Sequence, residues 1–287
     1  MTMVLTSDRP SGAPLPVRVQ SYIEALVQAC AQDQVPLVSV VLFGSAAKGG
    51  FSGDVSDVDL ILVVADDTSR VNRRRLGEVV ARLEAVHGLG PAMTDAPGRL
   101  QARIERAVGH GLSGFVCTRG DLISGDVARV LDLRPLETPF VDRIVFASIV
   151  ASAVTVWGEN LMPQVPVPSV RRLDVFKALF GFSGQVFLSA VTFPVLPDAT
   201  KYAMGALKHS LHSCYFCYHG RTVTLEEEVD FFRRRLGTNQ TLVDLLTLRG
   251  QYRRSFGFVI RCLPALVRLH LRTARDTRFP LKTVRGH

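Results

Sequence analysis

The 287-residue chain is 47% hydrophobic and 21% charged, a globular balance that excludes a disordered, collagenous or low-complexity protein and allows one large or two ordinary domains. Its net charge of +8 is uneven: residues 1–140 carry 14 Lys and Arg against 16 Asp and Glu, net −2, and residues 141–287 carry 20 against 10, net +10. A basic second half favours phosphates, nucleic acid or an acidic partner and disfavours a polycationic ligand.

Residues 1–16 are rich in Pro and lack the basic start and apolar block of a secretory signal, so they read as a flexible tail. Val19, Ile23, Leu26, Val27 and Cys30 form one stripe and predict a helix over 17–32. Apolar, β-branched runs predict strands over 35–43 and 58–64, joined by Gly44-Ser-Ala-Ala-Lys-Gly-Gly50 and a polar loop. Leu76, Val79, Val80, Leu83 and Val86 predict a helix over 70–87, with Gly88 as its C-terminal cap. A third strand is expected over 113–118. From residue 141 the spacing is helical, in blocks near 141–157, 171–191, 200–218, 224–236, 240–250 and 255–275. The expected fold is α+β: a small mixed sheet flanked by helices at 17–137, then an all-α domain at 138–287. The longest weakly charged apolar stretch is read as Ile144 to Trp157, too short at 14 residues for a bilayer that needs about 20, so no membrane partner is expected. Five scattered cysteines read as reduced thiols and point to the cytoplasm.

Asp57 and Asp59 flank one apolar residue at the head of a strand, where the period of two puts both on one face. Like charges that close cost free energy unless a cation lies between them, and hard oxygen ligands suit Mg²⁺, with Mn²⁺ as a substitute. Upstream, Gly44-Ser45 follows directly on a strand. A glycine lets a ligand approach the backbone, Ser45 adds a hydroxyl and an N–H, and Lys48 adds a charge, a set that suits an incoming phosphate.

Phe43-Gly44-Ser45, Gly49-Gly50 and Ser56-Asp57-Val58-Asp59-Leu60 together resemble the signature of the nucleotidyltransferase superfamily that includes DNA polymerase beta. The order of an α/β half and a helical half is similar to the small antibiotic- and protein-modifying members. The resemblance implies that Gly44, Ser45 and Ser56 hold the triphosphate of an NTP and that Asp57 and Asp59 are the catalytic metal ligands. It also implies transfer of a nucleoside monophosphate to an acceptor hydroxyl, with release of pyrophosphate. Lys208, seven residues after Lys201 on one predicted helix, is a candidate for the phosphates, as the helical domain of such proteins often lends a cation; two solvated lysines are the alternative.

Members of the superfamily usually carry a third acidic residue on a later strand, and here the expected position falls near Ser113, which is not acidic. Glu105 after a register shift, Asp121 reaching back, or no third acid are the options, the last slightly favoured. A weak or inactive nucleotide-binding regulator is therefore the second reading. The basic helical half favours a protein hydroxyl or an RNA end over a polycationic aminoglycoside as acceptor. Cys214 and Cys217 beside His209, His212 and His219 lack zinc-site spacing and read as core residues. Glu226 to Asp230 followed by Arg233 to Arg235 reads as a helix matched to its own dipole, capped by Thr224. Pro264 is expected to interrupt the last block.

Overall fold

The computed structural model describes residues 15–47, 58–89, 114–130, 143–237 and 240–281. In chain order the first elements are α1 (Val17–Gln32), β1 (Leu37–Phe43), the short turn α2 (Gly44–Ala47), β2 (Asp59–Val64), α3 (Arg70–His87), β3 (Gly114–Thr118), α4 (Arg119–Ser124) and α5 (Val127–Val130). Then follow α6 (Arg143–Ser152), β4 (Val154–Gly158), α7 (Arg172–Thr192), α8 (Ala199–His219), α9 (Leu225–Leu236), α10 (Gln240–Gly250) and α11 (Phe256–Asp276).

The chain divides into two units, the first of residues 1–141 and 152–167, the second of residues 142–151 and 168–287. The first unit holds a four-stranded mixed sheet in the order β3-β2-β1-β4, in which β2 and β3 run parallel and the other pairs antiparallel. Alternation sorts its side chains. Val40, Leu42, Leu60, Leu62 and Val64 face one way and close a core with Val19, Ile23 and Leu26 of α1 and Leu76 and Val80 of α3. Each such side chain, fully buried, contributes about 1.5–3 kcal/mol. Ser69 caps α3 by accepting from the Asn72 N–H at 3.2 Å, and Gly88, at φ 59°, closes it. Arg18 of α1 donates to the Gly88 carbonyl at 2.6 Å, placing a cation on the negative end of α3.

In the second unit α7, α8 and α11 pack together through Val175, Phe182 and Val186, through Leu207 and Leu211, and through Val259, Leu266 and Leu269, all buried. A backbone bridge between Val170 and Leu281 and a ring contact of 5.0 Å between Phe193 and Phe256 join opposite ends of α7 and α11, so the two helices are antiparallel. Thr224 caps α9 as expected, accepting from the Glu227 N–H at 3.4 Å, with Glu226–Glu228 in the first turn and Arg233–Arg235 in the last.

Three expectations are corrected. The block at 141–157 is not one helix: it breaks at Ala153, and Val154–Gly158 returns to pair with β1, so the sheet unit does not end at residue 137. A continuous apolar run carries no period to separate helix from strand, and the β-branched Val154, Thr155 and Val156 decide for strand. α7, at 21 residues, is long and apolar enough to cross a bilayer by length and composition, because residues 178–197 carry no charge at all. In the helical unit its buried residues include Asp174, Val175, Phe182 and Val186. Finally, α11 runs through Pro264. Pro264 and Ile260, whose carbonyl loses its partner, are both exposed, so water satisfies the freed group.

Candidate functional site

β1 ends at Phe43, and its antiparallel register sets Phe43 directly opposite Asp59, the first residue of β2. The next residue, Gly44, turns the chain at φ +71°, a conformation that side chains disfavour. The Asp59 carboxylate lies over this glycine. A Cβ at position 44 would stand 3.0 Å from Asp59 Cγ and run into the carboxylate oxygen Oδ2, so both the backbone angle and the space require glycine. Asp59 is half-buried and alternates with the core residues Leu60 and Leu62, which puts it on the sheet face away from α1 and α3. On that face Phe43 stacks on Phe115 of β3 with ring centroids 6.1 Å apart, walling one side of the carboxylate's strand.

Asp59 is the one carboxylate among the residues of the four strands. A hard oxygen donor held against a bare backbone turn suits a divalent cation. Cys117, on the same face, is buried, and burial first and the nearby Asp121 second push its thiol up to about 12, which excludes it as a nucleophile.

Of the residues expected to act, Gly44 and Asp59 are brought together, and Ser45 follows in the α2 turn. Asp57, Ser56 and Lys48 lie outside the described residues, as do Glu105 and Ser113. Lys208 is half-buried on α8 of the second unit. Lys201, expected on its face, is an exposed helix-end residue: its ammonium pairs with Asp198 at 2.9 Å and stands 5.0 Å over the Tyr252 ring.

Asp121 is not at this end of the sheet. β3 runs parallel to β2 with Gly114 level with Leu60 and Thr118 level with Val64, so Asp121, beyond Thr118, is roughly 15 Å along the strands from Asp59. It is engaged there. Its carboxylate accepts from the Thr118 N–H at 3.4 Å while Thr118 Oγ1 accepts from the Asp121 N–H at 3.2 Å, closing the first turn of α4, and Arg73 stands at 3.8 Å. The same far end holds Asp66, accepting from the Gly120 N–H at 2.7 Å, and the Arg119–Glu159 pair at 2.8 Å.

The two cysteines of the α8 segment are core, as their spacing suggested, whereas His209 and His212 are half-buried and His219 is exposed. Cys214 and Cys217 are buried, Cys214 Sγ lies 3.6 Å from His270 Nδ1, and Ser210 Oγ lies 3.1 Å from His270 Nε2. His212 pairs through Nδ1 with the buried Glu228 at 2.7 Å. Among the described residues no group of three or more His, Cys, Asp or Glu side chains is arranged to hold a metal. Sequence reasoning missed the Phe43–Phe115 stack, whose signal was the alternation of both strands about Asp59.

Residues 23–93 match the family model of the nucleotidyltransferase domain. No curated protein sequence matches the chain. Among solved structures, the fold is similar to that of a spectinomycin adenyltransferase from Enterococcus faecialis, determined with ATP and spectinomycin; the match covers 88% of this chain and 98% of that one, with a TM-score of 0.50 and 7% identity.

Proposed function

We propose that the chain, whose residues 23–93 match the nucleotidyltransferase domain, moves a nucleoside monophosphate from an NTP to an acceptor hydroxyl in the presence of Mg²⁺. The observation that carries this reading is the Asp59 carboxylate held over the side-chain-free turn at Gly44. Asp59 and its neighbour Asp57 would hold the metal, and Gly44, Ser45, Ser56 and Lys48 would receive the triphosphate. When bound, the ion neutralises charge on the phosphates and on the departing pyrophosphate. The chain's own part is positioning. The acceptor oxygen bonds to the α-phosphorus as the bond to the bridging oxygen breaks, pyrophosphate leaves, and the hydroxyl proton passes to solvent.

The acceptor proposed is a hydroxyl on a neutral or anionic molecule, a protein side chain or an RNA end, because the second half carries net +10. The solved neighbour was determined with spectinomycin, which makes spectinomycin the natural comparison arm. Purified protein with each NTP, Mg²⁺ and an acceptor panel of protein, RNA and spectinomycin should release pyrophosphate. Asp59→Asn should lower that rate by at least about 10²-fold. Pyrophosphate release that survives Asp59→Asn would sink the assignment.

A second reading is supported by one observation, the engagement of Asp121 at the far end of the sheet, which removes it as a third carboxylate. On that reading the chain binds NTP and Mg²⁺ without turnover, and saturable binding without pyrophosphate release over the whole acceptor panel is its mark.

A further inference from the structure

The helical unit carries an apolar face that its own packing leaves open. On α7 the residues Leu173, Phe176, Phe180, Phe187 and Val191 recur at helical spacing and are exposed, Phe180 by 74% and Phe187 by 68%. Between the two phenylalanines, Gly181 and Gly184 lie on the same exposed side, and a Cβ on either would meet nothing within 4 Å. The face is thus two aromatic knobs flanking a notch. Helix by helix, the opposite side of α7 is already used, with Val175, Phe182 and Val186 buried.

We propose that this face docks a second copy of the chain, α7 against α7, antiparallel about Gly184. That symmetry sets Phe187 of one copy level with Gly181 of the other, a knob against a low point, and Phe180 level with the half-buried Leu188. An isologous contact needs this self-complementarity. At about 200 Å² per phenylalanine, the exposed fractions of the stripe leave roughly 600–700 Å² on α7 per copy. Two copies would bury roughly 1,300 Å², inside the range of stable interfaces and above what a monomer ordinarily leaves open. Charge favours a protein twin over lipid. A helix that lies on a membrane is rich in Lys and Arg, whereas α7 from 175 onward has Lys177 alone, and the chain stays uncharged to Pro197.

Sedimentation equilibrium of the full chain tests this over about 1–100 µM, a range in which mass action moves a weak dimer from mostly apart to mostly paired. The average mass should climb from 31.5 kDa toward twice that value. Phe187→Asp should hold it at the monomer with unchanged circular dichroism. Gly181→Leu, placed where a Cβ meets nothing within 4 Å, should weaken dimerisation at least about tenfold and covers the case in which Phe187→Asp does not fold. Gly184→Cys should cross-link to itself on mild oxidation, a clean readout because all five native cysteines are buried. A monomer mass throughout with no cross-link at position 184 overturns the proposal. So does Phe187-dependent binding to anionic phosphatidylserine vesicles by a chain that stays monomeric, which would assign the face to lipid.

Discussion

Replacing Gly44 by alanine separates two demands that the structure places on one residue. The first is conformational: φ is +71°, which costs a side-chain-bearing residue about 1–2 kcal/mol. The second is steric. The new Cβ would stand 3.0 Å from Asp59 Cγ and closer to its oxygen, so the carboxylate must retreat by roughly 1 Å to regain ordinary van der Waals separation. A displacement of that size in a positioned group costs on the order of 10²-fold in rate. Gly220 at the end of α8 supplies the control, because its φ is +64° and a Cβ there meets nothing within 4 Å. Urea unfolding should show both alanine variants destabilised by about 1–2 kcal/mol. Titration with ATP and Mg²⁺, together with pyrophosphate release, should show about a 10²-fold loss in Gly44→Ala and none in Gly220→Ala. If Gly44→Ala handles nucleotide within about threefold of the parent, Asp59 is not the group that the turn serves, and the site assignment fails.

Asp121→Ala should cost about 1 kcal/mol through loss of the α4 capping box while ATP affinity in Mg²⁺ stays unchanged; a large fall in affinity without unfolding would return Asp121 to the site. Gly158→Ala, at φ +81° with its Cβ driven into the Val38 carbonyl and 3.0 Å from Ser39 Cα, should break the β1–β4 pairing and lower stability by at least about 2 kcal/mol in chemical denaturation, and a neutral result would refute β4 as a sheet strand. Burial lowers His270 from 6.5 to about 4, so the unfolded chain takes up this proton first; the stability it confers is present above about pH 6.5 and is lost as pH falls toward 4, up to roughly 3 kcal/mol. His270→Gln should flatten the acid limb of unfolding free energy against pH by one proton over that window, and an unchanged slope refutes the buried neutral imidazole.

Much of the fold could be read from residue order because local rules and tertiary packing agreed. The stripe from Val19 to Cys30 and the Gly88 cap give α1 and α3 with the bounds expected, and Thr224 caps α9 where its acidic first turn said it should. β4 was not readable, since the run from Ile144 to Trp157 is apolar throughout and only pairing with β1 distinguishes its last residues. α7 was misjudged for a different reason: Arg172, Asp174 and Lys177 crowd its first two turns and mask the uncharged stretch behind them. In the site, the spacing from Gly44 to Asp59 announced chemistry, but the contact between carboxylate and glycine depends on the register that puts Phe43 opposite Asp59. Lys201 shows the opposite failure. Its helical face was predicted correctly, yet Asp198 and Tyr252, distant from any motif, claim its charge.

Strand direction limits where a proton acceptor for the attacking hydroxyl can come from. β1 arrives at the Gly44 end of the sheet, whereas β2, β3 and β4 all depart from it, Gly114 being level with Leu60 and Val154 opposite Leu42. Chain that follows β3 therefore leads away from Asp59 at about 3.3 Å per residue, and no rotamer of Asp121 recovers five residues of travel. A third carboxylate donated through this strand has to precede Gly114 in sequence, which leaves Glu105 as the nearest acid on that side. Glu105→Gln thus tests what Asp121→Ala cannot: in a chain that releases pyrophosphate, loss of release with ATP affinity preserved marks Glu105 as the general base, and unchanged release marks transfer without it.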